Sequence, residues 1–188
     1  PVFLDVSMQA GIKEDGYGLG VVITDVNNDN RPDIYVANDY IANDLLWLNN
    51  GDGTFSNIIA TSLKHQSYNS MGVDAADVNN DGLPDVFMTA NMGPNKLFLN
   101  KGNFKFEDIS EKAGFHDKQK WSTGVVMVDV NADGLLDIYV CNAGFQKGIG
   151  QDNELWINKG NLKFDEQAAA FGLNDPGFTT HAAFFDYD

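Results

Sequence analysis

The sequence is short of several things at once. It holds a single cysteine, Cys141, so no disulfide can form within the chain. Cys141 follows Ile138-Tyr139-Val140 in an apolar run and reads as a small buried residue. The three histidines, His65, His116 and His181, share no spacing that a zinc site would need. Lys and Arg number 12 against 27 Asp and Glu, a net charge of −15, and no basic run occurs. That balance argues against nucleic acid or an anionic membrane as partner. No run of 18 apolar residues is present, which excludes a membrane-inserted helix within these residues. There is no Gly-x-Ser-x-Gly, phosphate-binding loop or paired-Cys motif, so the common catalytic motifs are missing. The chain opens on Pro1 without a methionine, which leaves room for a targeting segment removed upstream.

What is present is an ordinary globular composition, 43% apolar and 12% aromatic, enough for one domain or two. Within it a nine-residue acidic loop occurs three times, at residues 25–33, 77–85 and 129–137. Oxygen-bearing side chains fill positions 1, 3, 5 and 9 of every copy. These are Asp25, Asn27, Asp29 and Asp33, then Asp77, Asn79, Asp81 and Asp85, then Asp129, Asn131, Asp133 and Asp137. A fourth copy starts at Asp186-Tyr187-Asp188 and is cut short. Calcium takes six to eight oxygen ligands, and alternate residues of a tight loop can aim several oxygens at one point. The expected ligands are therefore those twelve side chains and the backbone oxygens of Arg31, Leu83 and Leu135 at position 7. Asp186 and Asp188 begin an incomplete fourth site. Position 6 is Gly82 or Gly134, suited to φ > 0 at the sharp turn, with the tolerant Asn30 in the first copy. An EF-hand is excluded, because position 12 is Val36, Met88 or Val140 and the flanks read as strand. The competing reading is a metal-free Asx turn, which these residues also favour.

Self-similarity extends beyond the loops. Their first Asp recurs at 25, 77, 129 and 186, spacings of 52, 52 and 57. Each loop is preceded by a small apolar run and followed by a β-type run such as Ile34-Tyr35-Val36. A third run then ends in Asn49, Asn100 or Asn158, and a fourth opens on Phe55, Phe106 or Phe164. Four short strands every fifty residues or so predict an all-β protein of β-propeller blades, with cation loops between strands 1 and 2. The expected division is strand 4 of a preceding blade and linker over 1–17, blades over 18–63, 64–115 and 116–173, and a further first strand over 174–188. One flanking strand at each end points to a segment of a longer propeller, completed by the rest of the chain or another copy. Short helical turns ending in glycine are expected at 110–114 and 167–172. Trp47, Phe98 and Trp156 hold equivalent places and are expected to pack between blades.

The loop Asp-x-Asn-x-Asp-Gly-x-x-Asp followed by a strand resembles the FG-GAP/VCBS repeats of integrin α-subunit-like propellers. The stretches Phe106-Glu107-Asp108-Ile109-Ser110-Glu111-Lys112-Ala113-Gly114-Phe115 and Phe3-Leu4-Asp5-Val6-Ser7 are similar to linkers of bacterial proteins in the cartilage-acidic-protein-like, ASPIC/UnbV-associated family. So is Thr180-His181-Ala182-Ala183-Phe184-Phe185-Asp186. The resemblance implies a calcium-bound propeller, extracellular, cell-surface or periplasmic. Millimolar extracellular calcium suits such sites. The resemblance does not choose among adhesion modules, lectins and polysaccharide lyases.

Topology divides the blade into two faces. The cation loops share one with the 3–4 turns. The 2–3 turns and interblade links lie on the other, where Tyr40, His65, Tyr68, Trp121 and Phe145 form the expected ligand face. Asp74, alone among the inner-strand positions in being acidic, is expected to line the channel in solvent, with a catalytic carboxylate as the alternative. The function expected is non-catalytic: a calcium-binding module for extracellular protein or glycan binding and adhesion. The alternative is a carbohydrate-active enzyme, lyase or hydrolase, or its binding domain.

Overall fold

The structure is a computed structural model that describes residues 2–63, 69–115, 120–144 and 152–187. It contains three four-stranded antiparallel sheets, each strand paired with its neighbour in sequence. The first blade is β1 (Tyr17–Thr24), β2 (Asp33–Asp39), β3 (Leu45–Asn49) and β4 (Phe55–Asn57), followed by α1 (Ile59–Ser62). The second is β5 (Ser70–Ala76), β6 (Asp85–Ala90), β7 (Lys96–Asn100) and β8 (Phe106–Asp108), followed by α2 (Ser110–Ala113). The third is β9 (Ser122–Val128), β10 (Asp137–Asn142), β11 (Glu154–Asn158) and β12 (Phe164–Glu166), followed by α3 (Ala168–Phe171). Register repeats with the sequence: Ile34 faces Trp47, Val86 faces Phe98 and Ile138 faces Trp156.

Alternation along each strand sends side chains to both sides of the sheet, so a blade can pack on two neighbours, as the second does. Tyr35, Ala37 and Leu46 of the first blade meet Val86, Met88 and Phe98 of the second. The other side of the second blade, Phe87, Leu97 and Leu99, meets Ile138, Val140 and Trp156 of the third. Phe115 from the link fills this second seam, its ring 5.0 Å from Phe87, 4.8 Å from Trp156 and 5.3 Å from Phe164. Phe98 and Trp156 thus pack between blades as expected, and Trp47 is also buried. Both sides of β6 and β10 are covered, so every residue of those strands is buried.

The inner strands come closest. β1 packs beside β5, and β5 beside β9. A Cβ on Gly72 would overlap the carbonyl oxygen of Thr123 and lie 3.0 Å from Gly124 Cα. A Cβ on Gly124 would lie 2.5 Å from the Thr180 oxygen. Only glycine fits there, which explains the small residues of each first strand.

Residues 2–6 and 178–187, where flanking strands are expected, carry no strand pairing within this chain, although residues 179–180 lie against the third blade, with Thr179 N–H donating to Asn142 O at 3.1 Å. A strand needs a partner ladder, and among the described residues neither segment has a second strand beside it. The equivalence behind the expectation survives locally: Asp5 caps Ser7 at 2.9 Å as Asp108 caps Ser110 at 3.0 Å. The helix α1 is not among the expected helical turns. It has no glycine terminator and ends on extended Leu63, whereas α2 and α3 end on left-handed Gly114 and Gly172.

Candidate metal-binding loops

The three acidic loops adopt one conformation. Positions 4 and 6 have positive φ in each copy: Asn28 58° and Asn30 64°, Asn80 59° and Gly82 87°, Ala132 58° and Gly134 84°. Position 6 was expected on the left-handed side; position 4 was not, although Asn fills it in two copies. The first Asp accepts the N–H of position 5 at 3.0, 3.0 and 3.2 Å. Its other oxygen accepts the N–H of position 6 at 2.6, 2.7 and 2.8 Å. The Asp at position 5 caps the N–H of position 7 at 2.9 Å in all three. Each short acidic side chain therefore folds the loop around itself, which is why these residue types form it.

Position 9 is set differently. Asp33, Asp85 and Asp137 each open a second strand and are fully buried. One oxygen accepts the N–H of position 2, from Val26, Val78 or Val130, at 3.0, 3.1 and 3.1 Å. The other accepts the N–H of Asn49, Asn100 or Asn158 at 2.8 Å. Burial raises the pKa of all three carboxyls; the N–H donors lower it, and the loop's own carboxylates at positions 5 and 1 raise it further. For Asp85 the balance stands at about 7. The charges of positions 1, 5 and 9 are therefore concentrated in one small region of each loop.

Among the described residues, no three carboxylate, imidazole or thiol groups are gathered tightly enough to hold an ion as they stand. The donor set nevertheless fits a hard cation: three carboxylates and an amide per loop, with no nitrogen or sulfur ligand among them. Each carboxylate oxygen has two lone pairs, so one N–H bond per oxygen leaves capacity for a cation. Asp186 is exposed, and Asp188 lies outside the described residues.

On the opposite face, Tyr40 is 66% and Trp121 40% exposed. Tyr40 meets the Tyr17 ring edge-on at 5.9 Å, and Trp121 accepts the Ala143 N–H through its backbone oxygen at 2.8 Å. His65, Tyr68 and Phe145 lie outside the described residues. This face also carries a polar latch that the sequence reading missed. Asp44 is buried and accepts hydrogen bonds from Tyr35 Oη at 2.8 Å, Asn38 N at 2.8 Å and Ser70 Oγ at 2.9 Å. Asn95 takes its place in the second blade, donating to Ser122 Oγ at 3.1 Å. In the third, Asn153 donates to Thr179 Oγ1 at 3.0 Å. Each latch runs from a 2–3 turn to the segment following its blade.

Asp74 does not line the inner trough as expected, and it is half-buried rather than freely solvated. The trough, about 420 Å³, runs along Gly20, Val21, Gly72, Val73, Gly124 and His181. Asp74 instead accepts the Met127 N–H at 2.7 Å, joining β5 to β9. A carboxylate committed to two backbone donors, Met127 and Ala75, is a structural group.

Repeated four-stranded blades around acidic 1–2 loops define the class, an all-β repeat protein with propeller-like blades. Residues 25–88 and 77–140 match the family model for the FG-GAP-like repeat, and together they cover more than half of the chain. The chain belongs to the FG-GAP-like repeat family. It is similar to cartilage acidic protein 1 of Xenopus tropicalis, 28% identical over 200 residues that cover 98% of this chain and 30% of that protein. The Mus musculus protein of the same name is 27% identical over 202 residues, covering 98% and 30%. The chain thus spans about 30% of the length of these relatives. Among solved structures it is similar to one described as the specific recognition of non-reducing terminal N-acetylglucosamine by an Agrocybe aegerita lectin. There the identity is 22% and the TM-score 0.49, covering 95% of this chain and 43% of that one. The family expected from the loops and linkers is the family found.

Proposed function

We propose that the chain is a calcium-binding propeller module that serves extracellular protein or glycan binding and adhesion. The observation that carries the reading is the threefold repetition of one loop scaffold. One set of hydrogen bonds, including one from Asn27, Asn79 or Asn131 to position 5 at 3.0 Å, recurs with the same partners. An acidic turn used only as a turn needs no such repetition, and needs no buried carboxylate at position 9 beside two others. Asp25, Asn27, Asp29 and Asp33 and their counterparts would hold Ca²⁺. The ion would supply charge neutralisation and fix the loop. Membership of the family and the likeness to cartilage acidic protein 1 support an extracellular or cell-surface setting. Tyr40 and Trp121 are the described aromatics that the reading assigns to the ligand face.

Thermal melts with calcium and with chelator test it. At ~2 mM calcium and a site Kd of ~0.1 mM, each site stabilises the fold by about 1.8 kcal/mol. Identical melting temperatures in the two conditions would refute calcium binding. A glycan array and pull-down with the unaltered chain and Trp121→Ala test the ligand face.

A further inference from the structure

Asn100 and Asn158 do more than end a strand. The Asn100 side chain oxygen accepts the Gly102 N–H at 2.9 Å, so its amide nitrogen is the end that faces two carbonyls. It donates to Pro84 O of its own loop at 3.1 Å and to Val26 O of the preceding loop at 2.9 Å. Asn158 repeats this pattern, accepting from Gly160 and donating to Leu136 O at 3.2 Å and Val78 O at 3.1 Å. Both residues are buried.

These bonds join the closing carboxylates into one chain. Asp33 accepts the N–H of Val26, and the Val26 carbonyl accepts the Asn100 side chain. The Asn100 N–H donates to Asp85, whose other oxygen accepts the N–H of Val78. The Val78 carbonyl accepts the Asn158 side chain, and the Asn158 N–H donates to Asp137. A second, exposed connection runs beside it. Asn28 donates to Gly82 O at 2.7 Å, and Asn80 donates to Gly134 O at 3.3 Å.

We infer that Asn100 and Asn158, with Asn28 and Asn80 beside them, are positioning residues that couple cation binding at adjacent loops. The inference rests on the calcium reading above. A cation that fixes Asp33 also fixes the Val26 peptide, and through Asn100 it fixes the Asp85 carboxylate. The next loop then binds with less ordering left to do, which makes the coupling positive. Hydrogen bonds in a buried chain polarise one another, which carries the effect further than isolated bonds would. The coupling is addressed by position: Asn100 and Asn28 serve loops one and two, while Asn158 and Asn80 serve loops two and three.

The test titrates calcium alone into the ¹⁵N-labelled chain. The amides of Asn30, Gly82 and Gly134 report the three loops, because each donates to the first Asp of its own loop. Disabling loop two with Asp81→Ala is expected to weaken calcium at loops one and three at least about fivefold. With Asn100→Ala and Asn28→Ala added, loop one should no longer respond to Asp81→Ala, while loop three still does. Asn158→Ala with Asn80→Ala should give the reverse. General destabilisation cannot exchange the two responses in this way. If a buried variant fails to fold, Asn28→Ala and Asn80→Ala decide alone. Ala132 already holds that backbone conformation in loop three, so both variants should fold, and each should reduce coupling at one pair only. Three loops that fill independently, or coupling that these variants leave unchanged, would overturn the inference and leave calcium binding standing. No response at any of the three amides would overturn both.

Discussion

Asp74 accepts the backbone N–H of Met127 at 2.7 Å, so a side chain of one inner strand completes the hydrogen bonding of the next. The residues are 53 apart in sequence and in adjacent blades. The equivalent positions of the first and third blades are Val22 and Val126, which cannot do this. Asp74→Ala leaves the Met127 N–H unpaired at the seam and should cost about 1–3 kcal/mol. In a chain of this size that lowers Tm by roughly 2–4 °C per kcal/mol. Asp74→Asn, which keeps an oxygen, should lose less. A calorimetric melt checks both, and equal Tm values for Ala and the unaltered chain would remove Asp74 from the account of blade packing.

Under the calcium reading Asp85 would have two duties, which chelator separates. Its carboxylate holds two backbone N–H groups, from Val78 and Asn100, whether or not a cation is present. Asp85→Ala should therefore destabilise the chain in chelator as well as in calcium, by about 1–3 kcal/mol for each orphaned donor. Asp81→Ala, at an exposed position, should act mainly by removing the calcium-dependent part. Paired melts of both variants, with and without calcium, check the contrast. An Asp85→Ala chain that matches the unaltered one in chelator would show that the carboxylate serves the cation alone.

Asp44 gives a pH dependence of definite sign. Burial raises its pKa above the ordinary 3.8, and the hydrogen bonds from Asn38, Tyr35 and Ser70 only partly offset this. A carboxyl whose folded pKa is raised favours folding when protonated. That contribution is fully present below 3.8 and fades as pH rises through the folded value. Asp44→Asn stays neutral throughout and occupies the place that Asn95 and Asn153 hold in the other blades. The stability difference between the two proteins should therefore shift toward Asp44→Asn as pH rises from about 4 to 7. Urea unfolding across that range measures it. A flat difference would mean that the three donors cancel burial, and one that moves the other way that they outweigh it.

The blades were readable because their cues are local and repeated. Gly82 and Gly134 mark the turn, Phe106 and Phe164 open the fourth strand, and the 52-residue spacing sets one copy against another. The shared conformation of the acidic loops was readable for the same reason. What escaped was long-range or needed a partner. The second donor to Asp85 is Asn100, 15 residues away across a strand pair, so the sequence showed the carboxylate but not its burial. The Asp44 latch reaches Ser70 over 26 residues, and its signal was the recurrence of Asp44, Asn95 and Asn153 just before each third strand. The helix α1 escaped because Leu63, not glycine, ends it. The flanking strands are expected from the match of Phe3-Leu4-Asp5-Val6 to Phe106-Glu107-Asp108-Ile109, and a strand forms only where a ladder exists to receive it.

The tightest constraint in the molecule is where the inner strands meet, and it makes a graded prediction. A Cβ on Gly20 would lie 3.1 Å from Gly72 Cα, a contact that a shift of a few tenths of an ångström relieves. On Gly124 it would lie 2.5 Å from the Thr180 oxygen and 3.2 Å from His181 Cα. On Gly72 it would overlap the Thr123 oxygen and press on Gly124 as well. The obstacles at all three glycines include backbone atoms, which cannot rotate away as a flexible side chain does, so the order follows from the distances. Overpacking of this kind costs about 1–3 kcal/mol, and more where the backbone must move. Gly20→Ala should therefore be mildest, and Gly72→Ala and Gly124→Ala several-fold worse. Gly53, where a Cβ meets nothing within 4 Å, separates crowding from conformation, since its φ of 86° strains Ala without any steric contact. Melting temperatures of the four Ala variants give the order directly. If Gly72→Ala is no worse than Gly20→Ala, the inner strands are not in the close contact that sets the blades side by side.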